Sequence, residues 1–120
     1  MAGKYDITCD QGSTFRRVFT LKNANAVLMD LTGYSARMQV REAFDSTGTL
    51  AAITNTTNAA TVGRITMGGA LGTVEPMIHE LVMTAMPVGK FRWDIEIVSP
   101  SGEPTRILDG TFKVKAEVTR

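Results

Sequence analysis

The sequence predicts an all-β protein, an antiparallel sandwich of about seven to nine strands, and three observations carry that prediction. Residues 90–120 read as a long hairpin. In its first arm Phe91, Trp93, Ile95 and Ile97 fall on one face and Arg92, Asp94 and Glu96 on the other, the two-residue period of a strand with one dry face. In its second arm Leu108, Gly110, Phe112, Val114, Ala116 and Val118 share a face opposite Thr111, Lys113, Lys115 and Glu117. Turn chemistry recurs at roughly ten-residue spacing along the rest of the chain. Only one stretch has a helical period.

The first strand is predicted over residues 4–9 and is stopped by Asp10-Gln11-Gly12-Ser13. The second spans 14–22, with Phe15, Arg17, Phe19 and Leu21 on one face. An arginine in that row implies a strand end near water or a paired guanidinium. Asn23-Ala24-Asn25-Ala26 is a turn, and Val27 to Met29 form a short edge piece before Asp30-Leu31-Thr32-Gly33. Tyr34 to Glu42 alternates cleanly: Tyr34, Ala36, Met38 and Val40 against Ser35, Arg37, Gln39 and Arg41.

Residues 44–61 are ambiguous, with turn chemistry at Asp45-Ser46-Thr47-Gly48, a possible strand from Leu50 to Thr54, and a small-polar loop from Asn55 to Thr61. Two further short strands are predicted at Arg64–Met67 and Gly72–Glu75. Pro76 to Met86 is the one candidate helix, clearest over 77–86, because Met77, Ile78, Leu81, Val82 and Ala85 recur at intervals of three and four before Pro87-Val88-Gly89 stops the run. So short a helix is marginal alone and must pack on a sheet or close one end of it. Pro, Ser and Gly crowd the link 99–104 between the hairpin arms. Strands of this number and spacing favour an immunoglobulin-like sandwich. A small barrel or jelly roll is the other arrangement they allow.

The 120 residues correspond to one domain, 1–120, long enough to bury a core without staples. Apolar content of 43% is ordinary for a folded domain. Thirteen basic and twelve acidic residues leave a formal charge of +1, so no overall field draws nucleic acid or an anionic membrane. The one cysteine, Cys9, excludes an intrachain disulfide. No apolar run has the length of a membrane span. Met1 to Asp6 lacks the apolar stretch of a signal peptide. Synthesis and folding in a cytoplasm are therefore expected, which leaves open a final place in an exported particle.

Chemistry is sparse. His79, the only histidine, would have to pair with Cys9 as base and thiol nucleophile; the plainer reading is a surface histidine and a small buried thiol. Asp94 and Glu96 share a strand face and resemble a paired-carboxylate site, but charge pairing to a neighbouring strand, for example to Lys113 or Lys115, accounts for them. One Cys and one His cannot build a structural zinc centre. Gly63-Arg64-Ile65-Thr66-Met67-Gly68-Gly69 lacks the Lys-Ser/Thr of a phosphate loop. Arg37, Gln39 and Arg41 with Arg16 and Arg17 form a basic stripe without interleaved aromatics, which argues against nucleic acid. Trp93 is read as a core anchor. The seven methionines serve core filling or an adaptable surface. No catalytic residue, cofactor or metal site is predicted.

Several blocks resemble a known family. Gln11-Gly12-Ser13-Thr14-Phe15-Arg16-Arg17, Asp30-Leu31-Thr32-Gly33-Tyr34-Ser35-Ala36-Arg37-Met38-Gln39-Val40-Arg41, Pro87 through Ile97, and Arg106 through Arg120 are similar to small virion proteins of tailed bacteriophages, in particular the immunoglobulin-like N-terminal domain of baseplate upper proteins. Residues 43–75 match least. The resemblance implies a non-enzymatic structural component of the tail, baseplate or fibre-attachment region. It would contact other virion proteins and copies of itself in a symmetric ring or cluster, without nucleic acid or membrane. Within the motif, Thr32-Gly33 is expected to turn Tyr34 inward and Gly12 to bend the chain between the first two strands. The charged face of the C-terminal hairpin, with its end at Arg120, is the expected docking surface. Capsid decoration, a head-to-tail neck position, and a host-glycan-binding module with exposed aromatics are the alternatives.

Overall fold

The computed structural model of the chain describes residues 3–23, 25–43, 48–56 and 62–116. The predicted turn at 45–47, most of the loop from 55 to 61, and Glu117 to Arg120 lie outside them.

The strands are β1 (Gly3–Lys4), β2 (Ile7–Asp10), β3 (Phe15–Arg16), β4 (Phe19–Thr20), β5 (Ser35–Arg41), β6 (Ala51–Thr54), β7 (Gly63–Met67), β8 (Thr73–Ile78), β9 (Gly89–Val98) and β10 (Pro104–Lys115). One short helix, α1 (Glu80–Ala85), links β8 to β9. The large sheet runs β1-β10-β9-β5-β6, with β2 also on β10; the small sheet places β8 between β7 and the β3 and β4 segments. Read as strands, this is N-terminal strand–β10–β9–β5–β6 facing β3/β4–β8–β7, the strand order of an immunoglobulin-like sandwich.

Register explains why the two N-terminal strands are each split. β3 and β4 pair with β8 in one unbroken register, Phe15 with Ile78, Arg16 with Met77, Phe19 with Val74 and Thr20 with Thr73. At the gap Arg17 N–H donates to Pro76 O at 3.2 Å, and Pro76 has no N–H to return. The ladder is interrupted by one missing donor. β1 and β2 likewise share one register on β10, Gly3 beside Leu108 and Ile7 beside Phe112. Between them the Asp6 carboxylate takes the Thr111 N–H at 3.0 Å, where a strand would offer a backbone carbonyl.

The structure also departs from the sequence prediction at the N-terminal pairing and at the helix. The N-terminal strand pairs parallel to β10, so the sandwich is antiparallel except along that ladder. The helix predicted near 77–86 is shorter: Pro76, Met77 and Ile78 belong to β8, and α1 begins only at Glu80. Val74, Pro76 and Ile78 are buried while Thr73, Glu75 and Met77 are half-buried. The period is therefore two up to Ile78, and the chain turns at His79. The ring nitrogen Nδ1 of His79 caps the helix by accepting the Leu81 N–H at 3.1 Å.

The core lies between the sheets. From the large sheet come Ile7, Ala36, Met38, Val40, Ile53, Trp93, Ile95, Ile97, Phe112 and Val114; from the small sheet come Phe15, Phe19, Ile65, Val74 and Ile78. Phe15, Phe19, Ala36, Met38, Val40, Trp93, Ile95, Ile97, Phe112 and Val114 are alternating positions read from the sequence. Aromatic pairs bridge the layers. Phe19 stacks on Trp93 at 6.1 Å with planes 17° apart, and Phe15 meets Phe112 edge-on at 5.4 Å. Antibody domains carry a disulfide between the strands equivalent to β3/β4 and β9; here the Phe19–Trp93 stack joins them. Met83 and Met86 close the core beneath α1, and with Met38 they are buried, so these three methionines fill space.

The turn that opens β5 is built by Asp30, whose carboxylate accepts both the Thr32 N–H at 3.0 Å and its hydroxyl at 2.6 Å. These bonds hold the Asp30 carboxyl below its usual range, the hydroxyl contributing most. Gly33 sits at φ +81, which glycine adopts without strain. The residue driven inward is Leu31, 1% exposed, with Tyr34 half-buried beside it.

Candidate functional site

The outer face of the large sheet gathers most of the charge that the sequence spaced along separate strands. Cross-strand register sets its rows. Arg37 lies opposite Glu96, and Glu96 opposite Arg106. The next row is Gln39, Asp94, Asp109 and Lys4, and the third is Arg41, Arg92 and Thr111. A register shift between Arg106 and Leu108 marks a β-bulge in β10. It lets Arg106 face outward while Leu108 still pairs with Ile95, and so tips the Arg106 side chain toward the middle row.

The acidic groups on this face are held by named cations. Arg37 Nε donates to Glu96. Arg106 reaches Asp94 at 3.4 Å and Asp109 at 3.8 Å, and Lys4 Nζ reaches Asp109 at 2.6 Å. Asp109 is only 5% exposed, so this outward carboxylate is covered by the lysine and arginine that neutralise it. Asp94 is raised from the ordinary carboxylate value by burial, with Arg106 and Arg41 pulling it down and Glu96 and Asp109 pushing it up. The partners of Asp94 and Glu96 are therefore Arg106 and Arg37, not the lysines the sequence reading offered; Lys113 lies opposite Lys90.

Among the described residues, this face carries the following depressions. One, about 110 Å³, lies among Gln39, Arg41, Ala43, Arg92, Asp94 and Arg106. The other, about 280 Å³, is bounded by Arg37, Gln39, Asp94 and Glu96.

The remaining candidates are dispersed or committed to the fold. The Cys9 thiol donates to Lys113 O at 3.5 Å, and burial pushes it up to about 11, so little thiolate exists at neutral pH. His79 Nδ1 is occupied as a helix cap. Trp93 is 2% exposed and donates its indole N–H to Tyr5 O at 2.8 Å, as a core anchor does. The Tyr5 ring packs edge-on against Phe19 and Trp93. The basic stripe does not form as one surface. Arg37, Gln39 and Arg41 face outward on the large sheet, Arg16 lies on the small sheet, and the Arg17 guanidinium rests 5.2 Å over the Phe15 ring while donating to Thr8 O. The glycine stretch is strand β7 followed by a 3-10 turn at Gly69–Leu71.

Among the described residues no group of three or more His, Cys, Asp or Glu side chains is placed to hold a metal ion. No described helix is long and apolar enough to cross a membrane. Sequence reasoning missed Lys4, Arg106 and Asp109 as one network, since the parallel N-terminal pairing and the β-bulge that assemble it leave no periodic signal. Comparison with protein-family models and with curated proteins finds no match.

Proposed function

We propose that the protein is a non-enzymatic structural component of a tailed-bacteriophage particle, seated in its tail, baseplate or fibre-attachment region. It acts through contacts with other virion proteins and with copies of itself, and its place of action is the virion. The observation that carries this reading is the outer face of the large sheet. It is a broad patterned surface of arginines and carboxylates on rigid central strands, suited to specify a protein partner by charge complementarity. The residues best equipped for covalent or acid–base chemistry, Cys9 and His79, are engaged by the fold itself. The phage setting comes from the resemblance of the Asp30–Arg41 and Pro87–Ile97 blocks.

Mass spectrometry of purified particles from the phage or prophage that encodes the chain tests the reading. The expected result is the protein at a fixed ratio to the other virion components. Its absence from the particles refutes the proposal. Its density in a particle reconstruction then decides between the tail region and a capsid or neck address.

A further inference from the structure

We propose that the outer edge of the β3/β4 strand docks a second copy of this chain, whose own β3/β4 edge pairs with it antiparallel about Val18 and joins the two small sheets into one. The edge stands on the sheet geometry; that copies meet at it within a particle rests on the function proposed above.

The N-terminal strand pairs with β10 in the large sheet, so in the small sheet β3 and β4 have a neighbouring strand, β8, on one side. In an antiparallel strand the N–H and C=O of one residue point to the same side, and successive residues alternate. Arg17 and Leu21 turn theirs to β8 and its lead-in, donating to Pro76 O at 3.2 Å and Gly72 O at 2.8 Å. Arg16, Val18 and Thr20 therefore turn theirs away from β8, and among the described residues no backbone carbonyl on that side accepts their N–H groups. All three residues are exposed. Such a row of open backbone groups is a template for another strand. Edges are commonly blunted by a charge, a proline or a bulge. At the middle of this one stands Val18, a good strand former that is 56% exposed.

The side chains select the occupant and its register. Pairing about Val18 sets Val18 opposite the partner's Val18, Arg16 opposite the partner's Thr20, and Thr14 opposite the partner's Lys22. The edge is complementary to itself, which is what a two-fold contact requires. A slip that set Arg16 opposite the partner's Lys22 would bring two cations face to face, which a sheet disfavours. Arg16 O already accepts from the Arg17 guanidinium at 2.9 Å, and its second lone pair serves the N–H of the partner's Thr20. A seam this short lies at the low end of interface size. It holds weakly between free chains and gains strength as one of several contacts in an assembly.

Directly opposed residues that exchange hydrogen bonds have Cα atoms about 5.5 Å apart, within the span of a disulfide. The test is oxidative cross-linking of the full chain at millimolar concentration in a Cys9→Ala background. Val18→Cys is expected to form covalent dimers on the order of tenfold faster than Thr66→Cys on β7, the gain from holding two thiols in one geometry. Arg16→Cys and Thr20→Cys should each be as slow as Thr66→Cys alone and fast when mixed. If Cys9→Ala loses its dispersed spectrum, the same comparison in the native background, with the unaltered chain as blank, reads the same effect. Equal rates for Val18→Cys and Thr66→Cys would overturn the edge contact, and fast cross-linking of Arg16→Cys alone would overturn its register. A second readout is hydrogen exchange at the Arg16 and Thr20 amides. It should slow with rising concentration in the native chain and not in Val18→Pro, a substitution tolerated where the N–H faces water; exchange independent of concentration in both would overturn the proposal. Fast Val18→Cys dimers from a chain absent from purified particles would support the edge contact and refute the proposed function, so the two fail separately.

Discussion

Replacing Trp93 by phenylalanine isolates the contact on which both the core and the N-terminal strand depend. The indole stacks on Phe19 and donates to Tyr5 O at 2.8 Å, so the substitution keeps an aromatic ring and deletes the donor. Leaving the Tyr5 carbonyl without that partner costs about 1–3 kcal/mol. The lost ring volume, on the order of 40 Å³ at roughly 24 cal/mol per Å³, adds about 1 kcal/mol. Tyr5 is 38% exposed, so water relieves part of the first cost, and the sum is about 2–3 kcal/mol. Trp93→Ala, which also removes the stack, is expected to cost about 3–5 kcal/mol, a large share of the ~5–15 kcal/mol total of an ordinary domain. Urea unfolding followed by circular dichroism measures both, because the only tryptophan is the one replaced. Hydrogen exchange gives a second readout. The Tyr5 N–H, bonded to Asp109 O at 2.9 Å, should lose protection in Trp93→Phe before the β5–β9 ladder does. A cost below about 0.5 kcal/mol, the range of surface substitutions, would refute the assignment of Trp93 as the anchor of the N-terminal strand.

Three further outcomes are expected. Gly110→Ala should destabilise by about 1–3 kcal/mol in urea unfolding, because the added methyl would collide with Tyr5 O and crowd the Asp6 carboxylate; a neutral result would mean that the parallel strand does not lie against Gly110. Asp94 is raised in the folded state, so its contribution is full below the unfolded-state value and is lost as pH rises through the folded one. Asp94→Asn should therefore gain on the native protein between about pH 3 and about pH 7 in paired unfolding curves, and an advantage that shrinks over that interval contradicts burial as the dominant cause. Cys9, pushed up to about 11, should react with iodoacetamide at pH 8 on the order of a hundredfold more slowly than the same thiol in urea; equal rates would put the thiol in solvent.

Strands that alternate cleanly were readable because one face of each is dry and the other wet. Ala36, Met38 and Val40 are buried, as are Trp93, Ile95 and Ile97 on the neighbouring strand. The helix boundary was misread for an identifiable reason. Met77, Ile78, Leu81 and Val82 fall at helical intervals, but Met77 and Ile78 face opposite sides of a strand, while Leu81 is exposed on α1. A proline in the middle strand of a sheet also defies the usual rule that confines it to edges. The structure accommodates Pro76 by interrupting its neighbour between Arg16 and Phe19. The parallel pairing of Ile7 with Phe112 left no sequence signal, since both strands would read the same had they paired elsewhere.

The charged face was legible as residue types and not as a site, because register, not composition, makes neighbours. A total charge of +1 conceals a row in which Arg41 and Arg92 stand side by side and a row in which Asp94 and Asp109 do. That register is itself set by the core. Val40 must oppose Trp93, Met38 must oppose Ile95, and Ala36 must oppose Ile97 for the apolar positions to share the buried face. A one-residue slip of β5 against β9 would expose these side chains to water, so it is strongly disfavoured. The same slip would bring Arg41 out of line with Arg92 and dissolve the cation pair. The hydrophobic alternation that makes this chain a sandwich therefore also fixes where its outer charges meet.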